Sequence, residues 1–273
     1  MKLLSWNMAH RQESWHYLLD CKVDVALLQE AGQPPKEIVN NIVVDSAPWK
    51  TAGASVSRPW RTAIANVSRR LEMQWFKTKS IKAAGPGQIA VSRFGTLAAA
   101  SVKTSSGEDI IVVSVYGVWE SPGDIAGGSW IYADASVHRL ISDLSVLIGS
   151  QDGHKIIVAG DLNILYGYGE NGSPYWDSRY QTVFDRMEML GLKFIGPQSP
   201  NGRQADPWPE ELPEASNNVP TYYHSRQTPE TATRQLDFVF ASTAISDRIN
   251  VTALNDPESW GPSDHCCLEI EIN

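Results

Sequence analysis

The feature that most constrains this chain is a short apolar run ending in a polar or ionisable residue, a pattern that returns along its whole length. Residues 155–163 carry it plainly: Ile156, Ile157, Val158 and Ala159 make a short buried strand, and Gly160 leads directly into Asp161 and Asn163. A two-residue period places Asp161 and Asn163 on one side and turns Leu162 away. A carboxylate beside a carboxamide binds a cation or orients a water. Gly-Asp and Asn are also common turn residues, and this stretch by itself leaves both readings open.

The pattern recurs. Residues 2–7 end in Asn7, 23–30 end in Gln29 and Glu30, and 110–115 run into Tyr116. Asp237 sits inside the apolar run 236–240, and Ser263, Asp264 and His265 open into the strand that begins at Cys266 and Cys267. Strands that each deliver a polar group near one end are how a sheet assembles a single site from distant sequence.

At 273 residues with 42% hydrophobic composition, the chain is long enough to bury a large core. No apolar run reaches the length of a membrane span, and Met1 enters a strand almost at once, which predicts a soluble, cytoplasmic protein. Cys21, Cys266 and Cys267 have neither disulfide nor metal-site spacing and read as reduced core residues.

The net charge of -8 is unevenly spread. Lys50, Arg58, Arg61, Arg69, Arg70, Lys77, Lys79, Lys82 and Arg93 face Glu72 alone in residues 50–93, with Trp49, Trp60, Trp75 and Phe76 interleaved. Bases among aromatic faces suit a phosphate backbone with bases to stack on. They equally suit a solvated hairpin with its tryptophans in the core. Arg58 and Arg61 are the substrate-binding candidates of this segment.

Helical spacing marks residues 12–19, 130–148 and 178–190, the last with Gly191 as its stop. Strands are expected over 62–67, 72–77, 87–93, 96–103 and 110–116, and loops over 121–129 and 197–218. Many strands with few helices, and no linker, predict one α+β domain over 1–273: two mostly antiparallel sheets packed face to face with helices outside.

The ordered set Ser5-Trp6-Asn7, Leu28-Gln29-Glu30, Ser114-Val115-Tyr116, Gly160-Asp161-Leu162-Asn163, Leu236-Asp237-Phe238 and Ser263-Asp264-His265 resembles the endonuclease/exonuclease/phosphatase superfamily. The resemblance spans residues 5–265 and implies a four-layer αββα sandwich and metal-assisted phosphoester hydrolysis. It implies Glu30 as a carboxylate ligand of Mg²⁺ or Mn²⁺, with Asn7 beside it and Asp264 at a second metal position or fixing the sheet end. It implies that Asp161 takes the proton of the attacking water and Asn163 orients that water and the phosphate. His265, held by Asp237, would contact a nonbridging oxygen. His10, His16, His138, His154 and His224 lack any such context and read as surface or core histidines.

Tyr116 separates branches of that superfamily. Deoxyribonuclease I, sphingomyelinases and inositol-polyphosphate phosphatases place a histidine at this strand end, and exonuclease III-type abasic endonucleases a tyrosine, which can donate to the leaving oxygen. Residues 164–170, after the Gly-Asp-Leu-Asn motif, and 8–11, after Asn7, depart from the abasic-endonuclease pattern. Tyr175 and Trp176 in the following Gly-rich stretch are candidates for stacking a base or ring, or for an aromatic lid on the core. The expectation is a nuclease on DNA or RNA, with a phosphatase or phosphodiesterase for a small molecule or lipid headgroup as the alternative; a non-catalytic binding module has no need of the intact set Asn7, Glu30, Asp161, Asn163, Asp237 and His265. Oligomeric state is open.

Overall fold

The computed structural model describes residues 1–51, 58–120, 132–149 and 153–273. Its architecture follows from where the apolar strands can hide. One six-stranded sheet runs β13 (Ile249–Leu254), β14 (Cys267–Ile272), β1 (Lys2–Asn7), β2 (Val25–Gly32), β4 (Trp60–Asn66), β3 (Val43–Val44). The other runs β11 (Leu192–Gly196), β12 (Asp237–Ser242), β10 (Ile156–Asp161), β9 (Asp109–Tyr116), β8 (Leu97–Lys103), β5 (Met73–Trp75). A small two-stranded sheet joins β6 (Lys77–Ser80) to β7 (Gln88–Val91).

Each large sheet has a single parallel pair, β1 with β2 and β10 with β9, flanked by antiparallel neighbours. The carboxyl ends of both parallel pairs carry the polar residues of the motifs. Their antiparallel partners begin at that same end: Asp237 opens β12 opposite Asp161, and His265 lies two residues before β14. Six distant segments meet there because alternating strand direction folds them back to one edge.

The inner faces of the sheets pack on one another through Leu3, Leu27, Ile64, Val112, Ile157, Val239 and Ile270, all fully buried. Strands buried on both sides read as continuous apolar runs. A polar pin crosses this core beneath the site: Gln29 donates to Ser114 Oγ at 3.0 Å, and Ser114 Oγ donates to Leu28 O at 2.8 Å. α1 (Glu13–Asp20) covers the outer face of the first sheet through Trp15 and Leu18. α3 (Ala133–Leu144) and α4 (Pro174–Met189) cover the second through Val137, Ile141, Val183 and Phe184. α2 (Lys36–Val39) is a single turn beside β2. The four layers are those the resemblance implies.

Boundaries differ where local chemistry overrides period. α4 begins at Pro174 rather than 178, because proline lacks only an N–H that the first turn leaves unpaired anyway. Gly191 ends it as expected, at φ +76°. The strand expected over 72–77 splits at Phe76 into β5 and β6, which join different sheets. β3, β11 and β13 were not expected from periodicity. Residues 197–218 form no regular element, yet Leu212 is buried and Trp208 donates to its carbonyl at 2.9 Å, so the loop is packed in part. The expected loop at 121–129, and Trp130 and Ile131 of the expected helix, lie outside the described residues. Among the described residues no helix is long and apolar enough to cross a membrane. Cys266 and Cys267 are buried and all three cysteines are free.

Candidate active site

The strand ends open into a cavity of about 620 Å³ lined by Asn7, Glu30, Tyr116, Asp161, Asn163 and His265. Asp161 sits at its floor, 1% exposed, and its carboxylate is held from three directions. Asn7 Nδ2 donates to Oδ2 at 2.9 Å, Asn163 Nδ2 to the same oxygen at 3.0 Å, and the Asn163 backbone N–H to Oδ1 at 2.8 Å. Asn163 is itself fixed by donating to Gly117 O at 2.9 Å. The strand ends pack so closely that a Cβ on Gly160 would stand 1.9 Å from Val115 O, and one on Gly117 2.2 Å from Leu162 O. Glycine at both positions is therefore a packing requirement.

On the other wall, Asp237 Oδ2 meets His265 Nδ1 at 2.8 Å and leaves Nε2 facing Asp161 Oδ2 at 3.8 Å. Burial disfavours a charged imidazole, but Asp237 and Asp161 outweigh it and push His265 up to about 10. Burial pushes Asp161 up to about 8, helped by the like charges of Asp237 and Glu30 and opposed by His265. Trp6 Nε1 donates to His265 O at 2.9 Å, and Ser263 Oγ ties the same segment to Asn7 O at 2.6 Å. Asp264 lines the cavity beside them, and the Tyr222 ring lies over His265 with centroids 4.9 Å apart.

Glu30 occupies a bulge of β2, where the register with β4 shifts between Leu28 and Ala31, and its φ is +46°. A bulge re-aims a side chain, here from the sheet face into the cavity. Burial works against the Glu30 charge, but hydrogen bonds from His10 and Tyr116 prevail and hold its pKa below the ordinary carboxylate value. Burial and the Glu30 and Asp161 charges keep the Tyr116 phenol protonated, as a donor.

Carboxylates therefore cluster in two places. Asp161, Asp237 and His265 place ligand atoms within 4.8 Å of one another, and Asp237 Oδ1 is buried without a hydrogen-bond partner among the described residues. His265 stands between the two carboxylates of that cluster, 2.8 Å from Asp237 Oδ2 and 3.8 Å from Asp161 Oδ2. Glu30 is ionised, opens onto the cavity and has the Asn7 amide nearby, a hard oxygen set suited to a divalent ion.

The remaining candidates divide. Arg58 lies over the Trp60 ring at 4.9 Å, and Trp60 stands edge-on to Tyr116 at 5.2 Å, so this pair reaches the site. Arg61, expected to meet substrate, is instead withdrawn from solvent: its side chain is 1% exposed, ion-paired with Asp45 at 2.8 Å and stacked under Trp49. Trp176 is also withdrawn, since it is 9% exposed and packs against Tyr132 and Tyr180 beneath Arg179, whereas Tyr175 is exposed. The aromatic lid on the core describes Trp176. The rest of the described basic segment divides too: Trp75 is half-buried and donates to Ile64 O at 3.1 Å and Arg93 pairs with Glu120, whereas Arg70 stays largely exposed 3.6 Å from Asp24 and Lys77, Lys79 and Lys82 are exposed.

Several lining residues carried no sequence signal. Trp119, Glu211, Tyr222, His224, Gln227 and Arg234 reach the cavity from loops, and Arg234 is set by Glu170 at 2.9 Å. His10, read as an unremarkable histidine, contacts Glu30. The one available signal was its place three residues after Asn7.

The fold is shared with solved nucleases. The chain is similar to an AP endonuclease from Archaeoglobus fulgidus, 17% identical, with a TM-score of 0.63 and covering 100% of this chain and 99% of that one. It is similar to the catalytic domain of Xenopus laevis APE2 (14% identity, TM-score 0.65, 100% and 91% covered). The Neisseria 3′ phosphatase NExo bound to a product DNA hairpin is likewise similar (17% identity, TM-score 0.59, 100% and 99% covered). Among curated proteins none matches the sequence. The family model described as Endonuclease/Exonuclease/phosphatase family matches residues 4–265. With six strand ends gathered around Asp161 and a family match over nearly its full length, this chain belongs to the Endonuclease/Exonuclease/phosphatase family of metal-dependent phosphoester hydrolases.

Proposed function

We propose that the chain is a nuclease that hydrolyses a DNA or RNA phosphodiester by attack of a water held at Asp161, with Mg²⁺ or Mn²⁺ at Glu30 and Asn7. The observation that carries this reading is the three-donor cradle of Asp161 opposite the Asp237–His265 pair in one cavity. The cradle fixes which carboxylate oxygen faces the water, and Asp161 ionises more readily once the Glu30 charge is neutralised. His265, protonated and buried, offers Nε2–H to a nonbridging phosphate oxygen and stabilises the charge that develops there. Tyr116, held protonated, donates to the phosphate or the leaving oxygen. A divalent ion supplies charge neutralisation of the phosphate and leaving oxygens. Asp264 lines the same cavity and is the candidate for a second metal position.

The similar AP endonucleases and the DNA-bound phosphatase support DNA as the substrate. Of the aromatic and basic side chains, Arg58 and Trp60 beside Tyr116, and Arg234 and the exposed Trp119 lining the cavity, are placed to meet a strand, and Tyr175 is exposed. A second reading, a small phosphoester, is favoured by the internal pairing of Arg61 and Arg93, which lowers the free positive charge.

The test is hydrolysis of labelled single-stranded, duplex and abasic DNA, and of RNA, with either metal, with chelator, and with the Asp161→Asn variant. Metal-dependent cleavage lost in the variant supports a nuclease. Cleavage of none of them, with hydrolysis of a small phosphodiester retained, selects the second reading.

A further inference from the structure

The turn after Asn7 passes through the left-handed region without a glycine. Ala9 and His10 stand at φ +48° and +57°, a region uncommon for residues other than glycine, in which histidine is one of the better tolerated and alanine is not. Residues held there persist where the surroundings over-determine them. The surroundings do so here: Met8 N–H donates to Gln29 O at 2.9 Å, Ala9 N–H to Asn7 Oδ1 at 3.0 Å and His10 N–H to Glu30 O at 3.1 Å. The turn is thus stitched to both residues of the proposed metal site.

What the turn delivers is an imidazole. His10 Nε2 contacts Glu30 Oε2, and its ring lies against Trp60, centroids 4.8 Å apart and planes 31° apart. Trp60 in turn abuts Tyr116, so the ring is walled on one side and its position is set. The His10 side chain is 44% exposed. The imidazole is thus held against the Glu30 carboxylate while its own side chain still reaches solvent, the placement an exchangeable ion's ligand needs.

We propose that His10 Nε2 is a nitrogen ligand of the ion bound at Glu30 and Asn7, and that it biases the site towards Mn²⁺ over Mg²⁺. The inference rests on the reading that Glu30 holds the metal. Mg²⁺ gives up water reluctantly and is held through oxygen donors; Mn²⁺ shares the taste for oxygen but, as a first-row transition ion, takes an imidazole nitrogen more readily than Mg²⁺ does. A set of one carboxylate, one amide oxygen and one imidazole therefore separates the two ions.

The experiment is direct ion binding to the full chain without substrate. Calorimetry measures Mn²⁺ and Mg²⁺ affinity, and pulsed electron paramagnetic resonance of the Mn²⁺-loaded protein reports nitrogen coordination. The variants are His10→Ala, His10→Asn, which tolerates the left-handed backbone, and Glu30→Gln. Expected are a histidine-nitrogen modulation in the wild type, its loss in both His10 variants, and a fall of about 10-fold or more in the Mn²⁺-to-Mg²⁺ affinity ratio. Mn²⁺ binding that depends on Glu30 but shows the same modulation and ratio in the His10 variants overturns the role of His10 and leaves the metal reading standing. Binding unaffected by Glu30→Gln, or no binding at all, overturns both.

Discussion

Two regions of the molecule hold its conspicuous charges, and they treat them in opposite ways. Along residues 58–93 the arginines are dense in sequence but dispersed in space, and four of them meet four different partners: Arg61 is buried against Asp45, while the more exposed Arg69, Arg70 and Arg93 stand beside Asn40 O, Asp24 and Glu120. At the strand mouths the ionisable groups come from segments far apart in sequence yet share one cavity, where burial raises Asp161 and the Asp237 and Asp161 carboxylates raise His265 against burial. Charge that is crowded along a chain is usually neutralised by its neighbours. Charge that is crowded by the fold, against desolvation, is where chemistry is prepared.

The contrast breaks most visibly at Asp161. Asp161→Asn is expected to lower kcat by about 10²–10⁴-fold while circular dichroism remains that of the folded protein. A variant of ordinary activity would remove the strand mouths from catalysis.

Next in size is Arg61→Ala. It leaves the Asp45 carboxylate without its buried partner and is expected to cost about 3–5 kcal/mol in denaturant unfolding. In the folded fraction, KM and its salt dependence should match wild type. A strong salt effect with little loss of stability would return Arg61 to the substrate.

The pH dependence sharpens the comparison further. His265 is raised in the folded state, so its protonated form favours folding: that stability is fully present below about 6.5, the unfolded value, and is lost as pH rises towards about 10. Asp237→Asn removes the charge that raises it, and the difference between wild-type and variant unfolding free energies should shrink from pH 7 to pH 10. A difference independent of pH would place the His265 proton elsewhere.

The smallest effect is expected at Lys77 and Lys79, which line an 820 Å³ groove at the sheet edges, away from the strand mouths. Their replacement by alanine should change stability by less than about 0.5 kcal/mol. If a nucleic acid crosses this face, the salt slope of binding falls by about 2; no change confines the substrate to the cavity.

Much of the site was legible because strand geometry is legible. Asn7, Asp161 and Tyr116 are marked by apolar runs that can end only at a sheet edge, and Asp237 by a carboxylate that no core strand keeps without a partner. Arg61 and Trp176 misled for one shared reason: a sequence shows the residue type but not its partner, and Asp45 and Tyr132 are what bury them. His10 was invisible because a left-handed turn of Ala9 and His10 has no compositional mark, unlike one built on glycine.

By itself, then, the sequence determined the period-two strands, their polar ends and the uneven charge, all of them local properties written in residue type and spacing. Tertiary structure decided which ends share a cavity, which arginines are neutralised, and that Glu30 turns inward on a bulge with His10 against it. Those outcomes depend on strand order, register and desolvation, each set by contacts between segments far apart in the chain.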